Sequence, residues 1–196
     1  MKSCMKCGNE IYYLDLCKKC FCISIEKKVS KEATSKLEKN DAIIVVNDNS
    51  NLSRLNWHFV KIFATKVPCS IVFDSLNDFK KVKNIKIINP LNMEDELKIF
   101  VNFLEGKSEY ENYKINRNDD QKNSEIRNEI NILISLSEEE CAKYAEAKKI
   151  KYKKRTENDE LMKMINKIEE KYPGRKIGVL KSIEQTNDII RRNKNY

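Results

Sequence analysis

Long apolar runs are missing from this 196-residue sequence. No apolar segment approaches the roughly 20 residues that a membrane-spanning helix requires, and the N-terminus contains no apolar core of the kind found in signal peptides. Both absences predict a cytoplasmic protein. In that reducing compartment, the seven cysteines favour metal binding or core packing over disulfide bonds.

Glycine is missing from the segment AIIVVNDNSNLSRLNWHFVKIF, residues 42–63, around which the chain is organised. The β-branched run at Ile43–Val46 does not alternate with polar residues, which predicts a central parallel strand covered on both faces. Helical spacing follows at Leu52, Leu55, Phe59 and Phe63. The segment therefore has the strand, loop and helix of a nucleotide-binding unit.

The loop of that unit lacks the groups that hold a phosphate. A phosphate-binding loop uses glycines, which let backbone N–H groups approach the phosphate oxygens, and usually a lysine or a hydroxyl side chain. This loop contains no glycine and no lysine, and Asp48 would repel a phosphate. We therefore expect no ATP binding by the loop residues Asn47, Asp48, Asn49, Ser50 and Asn51.

Two Cys-x-x-Cys pairs near the N-terminus predict a zinc ribbon or knuckle. Each pair presents two thiolates to one tetrahedral ion, and Gly8 permits the tight turn after the first pair. A redox dithiol and an iron–sulfur cluster are the alternatives. Four thiolates would fill the coordination sphere, so the ion is expected to hold the fold and to catalyse nothing. The predicted ligands are Cys4, Cys7, Cys17 and Cys20.

The other three cysteines are predicted to be core residues. Cys22 could compete as a ligand, but a small buried hydrophobe is its favoured role. Cys69 begins a predicted strand, and Cys141 lies in the first turn of a predicted helix. These apolar settings do not offer the exposure and nearby positive charge that a reactive thiol requires.

The basic composition favours a polyanionic partner. The net charge is +8, which suits RNA but also an ordinary solvated surface. An amphipathic helix is predicted after the knuckle, because apolar residues recur every fourth position from Ile25 to Leu37 while lysines occupy its other faces. A second basic stretch, Lys148–Arg155 with Tyr152 interleaved, predicts either an RNA contact or a charged loop.

The remaining pattern predicts an α/β fold. Strands are expected at residues 69–73, 85–88 and 130–134, and a helix is expected over residues 94–104 with Gly106 as its C-cap. This order of elements implies a doubly wound parallel sheet.

Ser137 and Glu140 form a capping-box pattern that predicts the start of a helix. The whole chain is predicted to form three segments. The predicted segments are a zinc-binding knuckle over residues 1–22, a linking basic helix over 23–40, and an α/β domain over 41–196 with a polar loop at 107–128 and C-terminal helices.

Several segments occur together in an order that a known family shares. They are the LCKKCF knuckle, the lysine-rich helix, the strand and its loop, NMEDELKIFVNFLEG, SEEECAKYAEAKKI and IEEKYPGRKIGVLKSIE. This order resembles the tRNA 2-thiolation family of PP-loop ATPase relatives. Members of that family replace the C2 oxygen of a tRNA uridine with sulfur.

The chain also departs from the active members of that family. They carry a Ser-Gly-Gly-x-Asp-Ser loop where this chain has Asn47–Leu52, and a Cys-x-x-Cys pair in mid-domain with a further cysteine later. Here no cysteine lies between Cys69 and Cys141, and none follows. The family segment GHNLDDEA corresponds to PLNMEDEL at residues 90–97, which keeps the asparagine and an acidic pair. A second zinc site of some relatives is missing.

The resemblance therefore implies a degenerate, non-catalytic member, similar to the partner subunit of the eukaryotic thiolation pair. It implies an N-terminal zinc ribbon on a reduced PP-loop ATPase-like domain, with structural zinc and no ATP. It also implies a heterodimer, or a higher complex, with a catalytic PP-loop subunit that acts on the wobble uridine of tRNA. The residues expected to contact tRNA are Lys18, Lys19, Lys27, Lys28, Lys31 and Arg175.

Two other hypotheses stay open. The first is a stand-alone zinc-containing RNA-binding protein without a thiolation role, which should bind RNA alone with a steep salt dependence. The second is a residual enzyme in which Cys22, Cys69 or Cys141 carries persulfide sulfur.

Overall fold

The computed structural model describes residues 3–38, 41–64, 70–74, 85–104, 128–155, 160–172, 174–182 and 185. Within these ranges, no helix is both long and apolar enough to cross a membrane. The predicted strand residue Cys69 and nearly all of the predicted loop at 107–128 lie outside the described residues.

The chain divides into two compact units. The first unit contains Met1–Asn92 and Gln121–Lys154, and the second contains Met93–Asp120 and Arg155–Tyr196. The segment boundaries proposed at residues 22 and 40 stay a prediction.

A four-stranded parallel sheet lies at the centre of the first unit. Its strands are β1 (Ala42–Val46), β2 (Ser70–Asp74), β3 (Ile85–Ile88) and β4 (Asn128–Ile130). Their spatial order is β2-β1-β3-β4, and every neighbouring pair is parallel. The chain runs outward from β1 to β2 and then returns to the other side of β1, which is the strand order of a doubly wound sheet.

The fourth strand is shorter than the sequence predicts. It ends at Ile130, because the Oδ1 atom of Asn131 accepts the backbone N–H of Leu133 at 3.1 Å and turns the chain. Ile132 and Leu133, which were predicted to continue the strand, are fully buried in this turn. Their apolar character therefore reflects burial rather than strand structure.

The helices, in chain order, are α1 (Lys18–Lys36), α2 (Asn51–Ala64), α3 (Met93–Leu104), α4 (Glu138–Lys148), α5 (Glu160–Lys171) and α6 (residues 175–182). The capping box predicted at the start of α4 is confirmed, since Ser137 and Glu140 each accept the other's backbone N–H at 3.1 Å. The predicted Ile25, Val29 and Ala33 stripe of α1 is buried.

The main core lies between one face of the sheet and helices α1, α2 and α4. Alternate strand residues such as Ile43 and Val45 point into this core, where they meet Leu55, Phe59 and Tyr144. The intervening residues form a separate buried cluster on the opposite face, made of Ile44, Val46, Ile85 and Ile87. Burial on both faces explains why β1 reads as an unbroken apolar run.

The second unit contains α3, α5 and α6. The Glu169 carboxylate of α5 accepts the backbone N–H groups of Gly174 at 2.6 Å and of Lys176 at 2.9 Å, which caps the start of α6. Gly174 has a φ of 90°, a conformation that L side chains rarely adopt. Gly174 thus lies between α5 and α6.

Candidate functional site

The structure brings the four cysteines of the two Cys-x-x-Cys pairs together. Their Sγ atoms all lie within 4.8 Å of one another. The sulfur atoms of Cys7 and Cys17 are 3.4 Å apart, and those of Cys7 and Cys20 are 3.6 Å apart. Cys4 and Cys17 are buried, whereas Cys7 is exposed, so the cluster lies at the protein surface with one side open to water.

Local backbone structure places each pair. After the first pair, the N–H of Gly8 donates to the carbonyl of Cys4 at 2.9 Å, and Gly8 has a φ of 77°. In the second pair, Cys17 is the N-cap of α1, and its sulfur accepts the backbone N–H of Cys20 at 3.4 Å. Both pairs therefore point their sulfur atoms to one point through a turn and a helix start.

Hydrogen bonds make the thiols unequal in acidity. Backbone N–H groups, that of Cys17 foremost, lower the pKa of the Cys4 thiol to about 6. Hydrogen bonds among the thiols, that with Cys7 foremost, raise the pKa of Cys20 to about 12. The pKa of Cys17 is also lowered, foremost by the backbone N–H of Cys20, whereas the pKa of Cys7 is raised. Two thiolates are thus favoured and two disfavoured, and a bound cation would favour the thiolate form of all four.

The donor set and its spacing fit a single tetrahedral metal ion. Four thiolates at bond lengths of about 2.3 Å from one ion lie about 3.8 Å from each other. The sulfur separations of 3.4 and 3.6 Å are close to this geometry. The four residues could therefore bind a metal, and they would hold it with every coordination position filled by protein.

Two further cysteines lie where the sequence predicts them. Cys22 is 8% exposed and Cys141 is fully buried, and both belong to the main core. Burial raises the pKa of the Cys22 thiol. Cys22 lies next to Phe21 in the core and is not among the clustered thiols. The structure therefore does not support Cys22 as a competing metal ligand.

The knuckle is joined to the main core through aromatic rings. Phe21 is buried, and its ring lies 5.1 Å from that of Tyr13 and 5.9 Å from that of Tyr12. The Tyr12 hydroxyl donates to the backbone carbonyl of Lys143 at 2.9 Å. A metal at the four cysteines would thus stabilise both the knuckle and the start of α1, since Cys20 lies in the first turn of that helix.

The loop between β1 and α2 bonds to itself. The Oδ1 atom of Asn47 accepts the N–H of Asn49 at 3.2 Å, and Oδ1 of Asp48 accepts the N–H of Ser50 at 2.9 Å. Ser50 caps α2 by accepting the N–H of Ser53 at 3.0 Å. Backbone donors of the kind that cradle phosphate in other proteins are therefore occupied by side-chain oxygens of the loop.

The lysines predicted to contact RNA differ in their surroundings. Lys18, Lys19, Lys27 and Lys31 are exposed on α1. Lys28 instead donates to the Glu140 carboxylate at 2.6 Å, which ties α1 to α4. Arg175 is exposed at the start of α6 in the second unit.

A partly buried network that the sequence patterns did not indicate joins α1, α2 and α4. The Tyr144 hydroxyl donates to Glu26 at 3.0 Å and lies 3.2 Å from Nε2 of His58. Lys148 lies 2.7 Å from the same Glu26 carboxylate. Burial, together with the charge of Lys148, lowers the pKa of His58. The helical position of Tyr144, three residues after Cys141, indicated burial but not its polar partners.

Asparagines end three of the four strands, a signal that sequence reasoning missed. Asn47, Asn89 and Asn131 directly follow β1, β3 and β4. The buried Asn56 of α2 donates to the carbonyl of Asn89 at 2.8 Å, and Asn89 donates to Glu129 at 2.8 Å. These amides connect the carboxyl ends of the strands to α2.

Comparison with known proteins identifies the fold. No family model and no curated protein matches this chain. Among solved structures, it is similar to the U34-tRNA thiolase NcsA from Methanococcus maripaludis with its 4Fe-4S cluster, with a TM-score of 0.67 and 16% sequence identity. The match covers 95% of this chain and 87% of that chain. The chain therefore has the fold of that thiolase, and the predicted fold class is confirmed.

Proposed function

We propose that this chain is the non-catalytic subunit of a cytoplasmic complex that thiolates the wobble uridine of tRNA. The observation that carries the proposal is a thiolase fold whose strand-to-helix loop is closed by its own side chains. A catalytic PP-loop partner would activate the uridine with ATP and deliver sulfur. This chain would supply a docking surface for the partner and part of the tRNA-binding surface.

The loop between β1 and α2 disfavours ATP binding. A phosphate would have to displace the Asp48 carboxylate from the N–H of Ser50, and it would meet the negative charge of that carboxylate. The loop also offers no lysine to compensate. Both effects oppose binding of a triphosphate at this end of α2.

The placement of the thiols disfavours sulfur transfer by this chain. Sulfur transfer needs an accessible thiolate. Among the described cysteines, four converge on the candidate metal centre, and Cys22 and Cys141 are buried in the core. We therefore assign sulfur delivery to the partner.

The proposed metal is structural zinc. Four thiolates in tetrahedral spacing are a common ligand set for Zn²⁺. Thiolates that bind separate iron atoms of a 4Fe-4S cluster must lie outside the cube and farther apart, whereas two sulfur pairs here are 3.4 and 3.6 Å apart. The spacing favours one ion over a cluster.

The proposed tRNA surface of α1 lies on its solvent side. Lys27 and Lys31 are one helical turn apart and exposed, and Lys18 and Lys19 are exposed in the first turn beside the cysteines. Lys28 is held by Glu140, so its contribution to tRNA binding requires that ion pair to open.

The test is to remove the gene, measure thiouridine at the wobble position of tRNA, and isolate the tagged protein from native lysate. The proposal expects loss of 2-thiouridine and a co-purifying PP-loop protein. Unchanged thiouridine and no such partner would refute it. If the purified chain alone then bound RNA with a steep salt dependence, the stand-alone RNA-binding hypothesis would replace it.

A further inference from the structure

Four exposed lysines follow α4 in a short irregular segment. We refer to them as the lysine ribbon, which consists of Lys149, Lys151, Lys153 and Lys154. None of the four forms an ion pair with any described residue. By contrast, Lys148 just before the ribbon pairs with Glu26 at 2.7 Å. The ribbon is thus a local run of uncompensated positive charge.

The backbone beneath the ribbon is fixed at three points. The N–H of Ile150 donates to the carbonyl of Ala145 at 2.8 Å, and the Tyr152 hydroxyl donates to Glu138 at 3.0 Å. The carbonyl of Lys153 accepts from Nδ2 of Asn51 at 2.8 Å. Ile150 and Tyr152 also pack against the main core, so exposure alternates along the segment and the lysines point to water.

The lysines concentrate positive potential at this place. Four like charges within six residues repel one another, and an anionic partner relieves that repulsion.

We propose that the lysine ribbon binds the phosphate backbone of RNA. The four exposed lysines fall within six consecutive residues, so they present a dense group of ammonium charges suited to the closely spaced phosphates of a nucleic acid strand. Lysine ammonium groups contact phosphates without reading bases, so the contact is independent of sequence. The inference deepens the proposed function, and it rests on that function only for the identity of the RNA as tRNA.

An RNA fits the ribbon better than other anionic surfaces. A peripheral membrane contact would need apolar side chains beside the lysines, but Ile150 and Tyr152 turn toward the core. An acidic protein surface presents carboxylates at a lower density than the phosphates of a nucleic acid. The density of positive charge and the packing of Ile150 and Tyr152 against the core therefore favour a nucleic acid strand.

The test compares two full-length, metal-loaded variants that lose the same charge. The ribbon variant changes Lys149, Lys151, Lys153 and Lys154 to Gln. The matched control changes Lys163, Lys167, Lys171 and Lys181 to Gln, four exposed lysines of the second unit. Binding to fluorescent unfractionated tRNA is measured from 50 to 300 mM salt, and unfolding is followed to check that both variants fold.

The ribbon variant should bind tRNA at least tenfold more weakly, with a salt slope shallower by about 3 because four phosphate contacts at roughly 0.7–0.9 each are lost. The control should bind like the native chain, and four Lys→Arg changes in the ribbon should retain binding. Equal weakening of ribbon and control variants would overturn the proposal, as would unchanged tRNA binding by the ribbon variant. Loss confined to anionic vesicles or poly-glutamate would assign the ribbon to another partner.

These results are separable from those of the thiolation test. If the ribbon variant fails to bind tRNA but gene removal leaves thiouridine unchanged, the ribbon is an RNA surface and the thiolation role is wrong. If thiouridine is lost and the ribbon variant still binds tRNA normally, the thiolation role stands and the ribbon inference is wrong.

Discussion

The Asp48 carboxylate accepts the backbone N–H of Ser50 at 2.9 Å, in the turn that leads from β1 into α2. In a phosphate-binding loop, an N–H at this place points to the ligand. Here a side chain of the chain itself supplies the anion. Asp48 would thus oppose a phosphate in two ways, because its charge repels the ligand and its oxygen occupies the donor.

Mg-ATP titrated into the full-length protein should therefore give no saturable binding in the micromolar range by calorimetry. Replacing Asn47, Asp48 and Ser50 together by glycine should remove the competing oxygens. Thiolation by the purified variant should nevertheless remain absent, because Cys22 and Cys141 stay buried. Saturable micromolar binding to the native chain would show that the closed loop opens, and it would contradict the non-catalytic assignment.

The purified protein should contain one zinc ion per chain by elemental analysis. Cys17→Ser should abolish metal binding and lower the melting temperature, since Cys17 is both a predicted ligand and the N-cap of α1. Zinc binding contributes about 10–16 kcal/mol to the folding of small zinc peptides, so a strong chelator should melt the knuckle and destabilise α1.

Cys22→Ser is the matched control for the metal centre. It changes a thiol two residues from Cys20 that points into the core, so it should keep one zinc per chain and lose stability only through burial of a hydroxyl. Iron with acid-labile sulfide in the purified protein would contradict the single-ion assignment.

The His58 and Tyr144 network should make stability depend on pH. Burial lowers the pKa of the folded imidazole, so below its ordinary value of about 6.5 the unfolded state binds more protons than the folded state. The free energy of unfolding should therefore decrease as the pH falls from 7.5 to 5.5. His58 is the one histidine of the chain, and His58→Gln should flatten this dependence in urea unfolding.

Removing the Tyr144 hydroxyl tests the same network without changing His58. Tyr144→Phe leaves Glu26 and His58 without a shared partner and should destabilise the protein by about 1–3 kcal/mol. Tyr172→Phe, at an exposed tyrosine, should change stability very little. Equal effects of the two substitutions would mean that the network contributes nothing beyond ordinary packing.

Features of the fold that depend on neighbouring residues could be predicted from the sequence. The unbroken run at Ile43–Val46 indicated a strand buried on both faces, and the spacing of the cysteine pairs indicated four converging thiols. The Ser137 and Glu140 pattern gave the capping box. Each of these depends on residues close in sequence, whose geometry is fixed by one strand, turn or helix end.

The features that were missed depend on contacts between distant segments. Glu26 and Tyr144 are 118 positions apart, and Asn51 and Lys153 are 102 positions apart. Ile132 and Leu133 were wrongly predicted as strand because an apolar pattern reports burial, which a buried turn shares with a buried strand. Lys28 was grouped with the exposed lysines because Glu140 lies far along the chain.

The acidic pair that the family resemblance highlights is engaged in ion pairs of the second unit. Glu94 lies 3.1 Å from Lys176, with both side chains 10% exposed. Asp95 pairs with Arg155 through two contacts, of 2.7 and 3.1 Å, at a more exposed position. These two carboxylates thus have structural partners within the chain.

Lys176→Met should therefore destabilise the second unit by about 3 kcal/mol or more, because it leaves the Glu94 carboxylate buried with its cationic partner removed. Arg155→Met breaks the more exposed pair and should cost about 1 kcal/mol or less. Urea unfolding of both variants measures the difference. Adding Glu94→Gln to Lys176→Met should recover part of the loss, since the buried charge is then gone. Equal effects of the two single substitutions would contradict a large contribution of the Glu94 and Lys176 pair to stability.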